Sequence, residues 1–248
     1  MLRVYLPRGF RRAVKSVIMS VSDKYFAPLL PDYFYHVYNR TNNKELLFLD
    51  DADRQRFLFL YNHYLSPLVD TYAFCLLNNH FHFLIKAKPF EEILRYLKKN
   101  QDPRPTHYQR KFLAQSSVCD SAHKILCSQF RRFFISYSMY INKRWGRKGN
   151  LFHRRFKRLA VRSNAHLTRL IYYIHANPRK HGLMKEFSSY EWSSYQLLLF
   201  PETKLLKRDT VMEWFGGFSP FIQFHQNPQE PLPEDDLEEK EKAEIESS

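Results

Sequence analysis

An α+β fold, with helices packed on an antiparallel sheet, is what three features of the 248-residue sequence predict. Short aromatic and β-branched runs alternate with longer runs whose apolar residues recur at three- and four-residue spacing, in the order β-α-β-β-α. Two of the strand-like runs are separated only by Asn78-Asn79, a tight-turn signal that makes them a hairpin. Hydrophobic residues make up 44% of the chain and aromatics 17%, enough to build a core.

The first strand is Tyr33 to Arg40, Tyr-Phe-Tyr-His-Val-Tyr-Asn-Arg. Asp50 and Asp51 then precede a helix over Ala52 to Tyr64, whose Phe57, Leu58, Leu60, Tyr61 and Tyr64 recur at helical spacing. Thr71 to Leu77 and Phe81 to Ile85 are the hairpin strands. Pro89 opens a helix to about Lys99 with Phe90, Ile93, Leu94 and Leu97 on one face. The order to this point is ferredoxin-like, with the helices expected on one face of the sheet. Residues 101–121 are polar, contain two prolines and read as an inserted loop. Ile125 to Trp145 reads as a helix, Leu151 to Val161 as a strand, and Asn164 to Ala176 as a helix with Asn164 as its N-cap.

The chain divides on this reading into an N-terminal extension (1–30), one domain (31–200), a helical and loop extension (201–226) and an acidic tail (227–248). Proline and acidic residues dominate the tail, which is expected to be disordered. Residues 1–18 read as an upstream extension, with Met19 as the start.

Formal net charge is +14, and the tail alone holds nine acidic residues against two lysines, so the rest of the chain is more basic still. Such a body attracts polyanions, nucleic acid above all. With 6 glycines, and neither a P-loop nor a dinucleotide fingerprint, the sequence argues against a glycine-rich nucleotide-cradling loop as the centre of function. Cys75, Cys119 and Cys127 lack metal-knuckle spacing and an even count, so they read as reduced thiols of a cytoplasmic protein. No run approaches the roughly 18 apolar residues of a membrane span, and no membrane partner is expected.

His80 and His82 are two apart on a strand, so both leave the same face of the sheet and can converge on a divalent cation. On the helix from Asn164, Leu167, Leu170, Ile171 and Ile174 form the core-facing stripe. His166, Tyr173 and Asn177 fall along one flank of it, and Tyr172 falls on the far side, toward solvent. Tyr173 and Asn177 are i, i+4 neighbours, a hydroxyl beside an amide oxygen. From Lys143 to Arg158 there are eight basic residues (Lys143, Arg144, Arg147, Lys148, Arg154, Arg155, Lys157, Arg158) and no acid, a run suited to phosphate contacts. Trp145 and Phe152, within it, can stack on bases or pack.

The hairpin Tyr72-x-x-Cys75-Leu76-Leu77-Asn78-Asn79-His80-Phe81-His82-Phe83-Leu84-Ile85 resembles the signature strand pair of the IS200-like single-tyrosine (HUH) transposases. The closer resemblance is to their REP-associated tyrosine transposase branch. It extends to Tyr35-His36-Val37-Tyr38-Asn39-Arg40, to the segment from Asn142 to Arg158, to Tyr173-Ile174-His175-Ala176-Asn177-Pro178-x-x-His181-Gly182, and to Tyr190-x-Trp192-Ser193-Ser194-Tyr195. The five blocks span about residues 31 to 200 in order.

The resemblance implies that His80 and His82 bind Mg²⁺ or Mn²⁺, that Tyr173 is the nucleophile, and that Asn177 stands where a polar residue completes the metal shell. It implies nicking and joining of single-stranded or hairpin DNA through a 5′-phosphotyrosine, contacted by Arg40 and the basic run, in a protein of the bacterial nucleoid that is a monomer or a homodimer. Asn78 replaces a proline common in the family, and Asn177 is shorter than the glutamine of the wider family. Two other readings stay open: a domesticated DNA-binding protein of the same fold without transposition activity, and a zinc hydrolase held by His80 and His82.

Overall fold

The computed structural model describes residues 25–100, 110, 119–153, 155–161, 163–201 and 203–227. Residues 1–24, most of the segment read as an inserted loop, and all but the first residue of the acidic tail lie outside them.

Four strands form one antiparallel sheet: β1 (Phe34–Arg40), β2 (Val69–Leu76), β3 (His80–Ala87) and β4 (Lys157–Val161), in the spatial order β2-β3-β1-β4. With α1 (Asp51–Tyr64) between β1 and β2, and α2 (Phe90–Lys99) and α3 (Cys119–Trp145) between β3 and β4, this is the ferredoxin-like β-α-β-β-α-β arrangement. The chain continues into α4 (Asn164–Lys180), α5 (Ser194–Leu199), α6 (Arg208–Phe215) and α7 (Phe218–Gln226).

Local chemistry fixes the ends of the elements. Asp50 caps α1 by accepting the Asp53 N–H at 3.1 Å, and Ser163, rather than Asn164, caps α4 by accepting the His166 N–H. The helix read as beginning at Ile125 begins at Cys119, within the segment read as a loop. The strand read over Leu151 to Val161 is confined to Lys157–Val161. Residues 150–153 instead lie alongside the end of β1, where Asn42 donates to the carbonyls of Asn150 and Phe152, and the His153 N–H donates to the Arg40 carbonyl at 3.0 Å.

Contrary to the one-sided expectation, helices cover both faces of the sheet. Phe81 and Phe83 of β3 point to the side where Phe57 and Tyr61 of α1 meet Phe133 of α3; the Tyr61 and Phe83 rings stack at 4.3 Å. On the other side Tyr173 of α4 packs edge-on against His36 and His82, and Trp214 of α6 stacks on Tyr72 at 4.8 Å. Because strand side chains alternate, one helical layer seals an aromatic core while the opposite layer closes over the histidines.

Both outer strands are covered. Residues 25–27 run along β4, with the Ala27 N–H donating to the Arg158 carbonyl and the Arg158 N–H to the Tyr25 carbonyl. Segments at 192–193 and 206–207 pair with β2. Such cover removes unpaired edges that would otherwise template aggregation.

The 201–226 segment is an integral layer of the fold. Val211 and Phe221 are fully buried, and α7 brings Phe224 and His225 against Tyr172. Tyr172 therefore does not face solvent: it is buried and accepts a hydrogen bond from Arg179 at 2.7 Å. The helical period set its angle on α4, but the face read as solvent is covered by α7. Among the described residues no helix is long and apolar enough to cross a membrane.

Candidate metal and nucleic-acid site

His36 and Tyr38 on β1, and His80 and His82 on β3, leave the same face of the sheet, the register setting Tyr38 opposite His82 and Arg40 opposite His80. Above them α4 presents Tyr173, Asn177 and, just past its last turn, His181. The Tyr173 ring lies edge-on to the His82 ring at 5.8 Å, and the His181 ring edge-on to the His80 ring at 4.7 Å. Asn177 lies one turn of α4 from Tyr173 and one turn from His181, on the same helix face.

His80 and His82 have ring centroids 5.2 Å apart. His82 is fully buried, and its Nδ1 is hydrogen-bonded to His36 Nε2 at 2.9 Å. Burial first, and then the imidazoles of His80, His36 and His181 and the Lys180 ammonium, hold His82 well below the usual histidine range. It is consequently a neutral imidazole at neutral pH, the form that ligates metals. His80 is partly exposed at the mouth of the site, with Nδ1 2.6 Å from Asn79 Oδ1.

Asn177 is fully buried and donates from Nδ2 to the Tyr173 carbonyl at 2.8 Å. Its Oδ1 is buried and accepts no hydrogen bond among the described residues. A buried amide oxygen left in that state is costly unless something electropositive meets it. His80, His82 and this oxygen are the donors that would hold a divalent cation here, imidazole nitrogen and amide oxygen both being ligand types for such ions. Among the described residues no three His, Cys, Asp or Glu side chains converge on one point, so the set depends on the amide. Lys180 sits over the Tyr173 ring at 5.1 Å.

The structure divides the basic run. Arg144 is ion-paired with Asp50 and Asp53, and Arg147 with Glu45. Arg158 is tucked between the Phe26 and Phe156 rings and donates to the carbonyls of Phe26, Ala27 and Phe156; its burial lowers its pKa. These three guanidiniums are committed to holding the fold. Arg154 lies outside the described residues, while Lys143, Lys148 and Arg155 are exposed. Of the two aromatics, Phe152 is buried against Phe134 and Tyr137, and Trp145 donates to Asp53.

Arg40, Arg155 and Lys157 instead converge with Phe26, Tyr38, Asn39 and His153 around a cleft of about 290 Å³. Tyr38 connects this cleft to the histidines, its ring stacked on His82 at 5.5 Å. A basic, aromatic-walled cleft therefore adjoins the candidate metal site.

Of the residues singled out in the sequence, His80, His82 and Tyr173 lie ring against ring, and Asn177 lies one turn of α4 from Tyr173. Sequence reasoning did not single out His36, Tyr38, Lys180 or His181. For His36 and Tyr38 the strand alternation held the signal, since both share the face of the histidine pair once β1 and β3 are paired in register.

No family model matches the sequence, and no curated protein matches it. Among solved structures, the chain is similar to a REP-associated tyrosine transposase bound to a REP hairpin, at 18% identity and a TM-score of 0.41, the match covering 66% of this chain and 76% of that one. A likeness that shallow says nothing by itself about the chemistry of this chain.

Proposed function

We propose that the protein is a metal-dependent tyrosine nuclease and strand-joining enzyme of the transposase type, acting on single-stranded or hairpin DNA. The observation that carries this reading is the placement of Tyr173 edge-on to His82 at 5.8 Å, on the helix that also carries Asn177 one turn further on. A nucleophilic hydroxyl, a divalent-cation donor set and a basic cleft then adjoin one another, which is what phosphodiester transesterification requires.

His80, His82 and Asn177 would hold Mg²⁺ or Mn²⁺, which when bound supplies Lewis-acid charge at the scissile phosphate. Arg40, Arg155 and Lys157 bind flanking phosphates, and Tyr38 and Phe26 offer faces for an unpaired base. Tyr173 Oη attacks phosphorus, forming a phenolic P–O bond as the bond to the 3′ oxygen breaks. The phenol loses its proton and the departing 3′ oxygen gains one. The result is a 5′-phosphotyrosine and a free 3′-hydroxyl, and a second strand end can reverse the step without ATP. The Lys180 ammonium, over the Tyr173 ring, places positive charge beside the attacking residue.

One observation favours a second reading, a DNA-binding protein of this fold that does not cut. Tyr173 is only 6% exposed, so a phosphate reaches its hydroxyl only after local rearrangement. Incubation with labelled single-stranded hairpin oligonucleotides and Mn²⁺ separates the two. Nuclease action gives an SDS-resistant protein–DNA adduct that Tyr173→Phe or chelator abolishes and His80→Ala greatly weakens. Tight hairpin binding with no adduct across many hairpins establishes the binding-only reading, and an adduct that survives Tyr173→Phe but not Tyr172→Phe refutes this choice of nucleophile.

A further inference from the structure

We infer that His36 is a positioning residue that sets His82 for metal binding, an inference that rests on the metal-dependent reading above. His36 Nε2 lies 2.9 Å from His82 Nδ1, and both side chains are fully buried. Only one proton fits between the two facing ring nitrogens, so the pair has two arrangements. With the proton on His36, His82 accepts at Nδ1 and carries its own proton on Nε2, where no cation can bind. With the proton on His82 Nδ1, His36 accepts, and the His82 Nε2 lone pair is available to a metal. His36 is the acceptor that makes the second arrangement possible in a site closed to bulk water.

Ring geometry supports the assignment. The His36 and His82 rings stack at 5.2 Å with 23° between their planes, and Tyr38 stacks on His82 at 5.5 Å with 20°. Stacking sets the tilt of the His82 ring, but it does not decide which nitrogen faces outward. The hydrogen bond at Nδ1 does. Metal-binding histidines are generally held through their second nitrogen by an acceptor, most often a carboxylate or backbone carbonyl. In this chain the acceptor is an imidazole from the adjacent strand, brought diagonally across the β1–β3 register in which His36 lies opposite Leu84 and His82 opposite Tyr38.

The test compares full-length wild type with His36→Leu, His36→Gln and His36→Asn. Leucine removes the acceptor, glutamine places a carbonyl oxygen where Nε2 stands, and asparagine is too short to reach it. Mn²⁺ affinity is read from the free-ion signal in electron paramagnetic resonance, with thermal melts recorded on the same samples. His36→Leu and His36→Asn are expected to lose tenfold or more in Mn²⁺ affinity, roughly the cost of removing an outer-shell partner. His36→Gln is expected to stay close to wild type. Should His36→Leu fail to fold, the Gln and Asn pair carries the same comparison. If wild type binds Mn²⁺ and the Leu or Asn variant binds it as tightly, the inference is overturned while the metal reading stands. If the Gln variant loses as much as Asn, His36 acts through packing and the inference is again overturned. Wild type that binds no Mn²⁺ overturns both.

Discussion

His225 and His175, fifty residues apart, share a buried hydrogen bond of 2.9 Å that ties α7 to α4. The chain of contacts has one polarity. His225 Nδ1–H donates to the Phe221 carbonyl, so its Nε2 accepts from His175 Nδ1–H; His175 Nε2 then accepts from the Ser194 hydroxyl, whose oxygen accepts the Phe74 N–H of β2. Both imidazoles are neutral in this arrangement, and a proton added to either puts a charge into a buried network.

Acid is expected to destabilise the protein through this pair. Burial pushes His225 down to about 4, and burial together with the neighbouring His225 holds His175 well below the usual range. Both folded-state values lie beneath the unfolded value near 6.5, so the stability is present above about pH 6.5 and is lost as pH falls toward 4. His225 alone accounts for on the order of 3 kcal/mol across that window. Urea midpoints between pH 7.5 and 4.5 should fall with acid, and the slope should flatten in His225→Leu. A pH-independent midpoint in wild type contradicts the network.

Arg144 belongs to the fold before it belongs to any DNA interface. Asp53 is fully buried and accepts from Arg144, Trp145 Nε1 and the Leu49 N–H. Asp53→Ala strands these donors and is expected to cost on the order of 2–3 kcal/mol, measured by urea denaturation. Arg144→Ala should lower the melting temperature while leaving the salt dependence of hairpin binding unchanged.

Lys148→Ala, Arg155→Ala and Lys157→Ala should do the reverse. Each is expected to weaken hairpin binding and to reduce the slope of log affinity against log salt by about 0.7–1, with little change in stability. Fluorescence anisotropy at several salt concentrations reads this directly. Equal losses for Arg144→Ala and Lys157→Ala would count against the division of the basic run.

Lys180→Met should slow adduct formation by about tenfold, because the ammonium over the Tyr173 ring places positive charge beside the attacking residue. An unchanged rate would remove Lys180 from the site.

Tyr172→Phe should leave adduct formation intact yet lower the melting temperature, since it deletes the acceptor for Arg179 inside the α7 contact. This variant separates the two adjacent tyrosines by function and by stability at once.

The amino-acid sequence by itself determined the first three strands, the hairpin and the alternation that sends His80 and His82 to one face, because these depend on periods of two and near four along the chain. It also separated Tyr173 from Tyr172 by their angles on one helix. Only the tertiary structure decided what meets those faces. Asp50 and Asp53 neutralise Arg144 across more than ninety residues, α7 covers Tyr172, and β1 delivers His36 to His82. Contacts between residues so far apart depend on strand register and helix placement, which the whole core sets and no local pattern encodes.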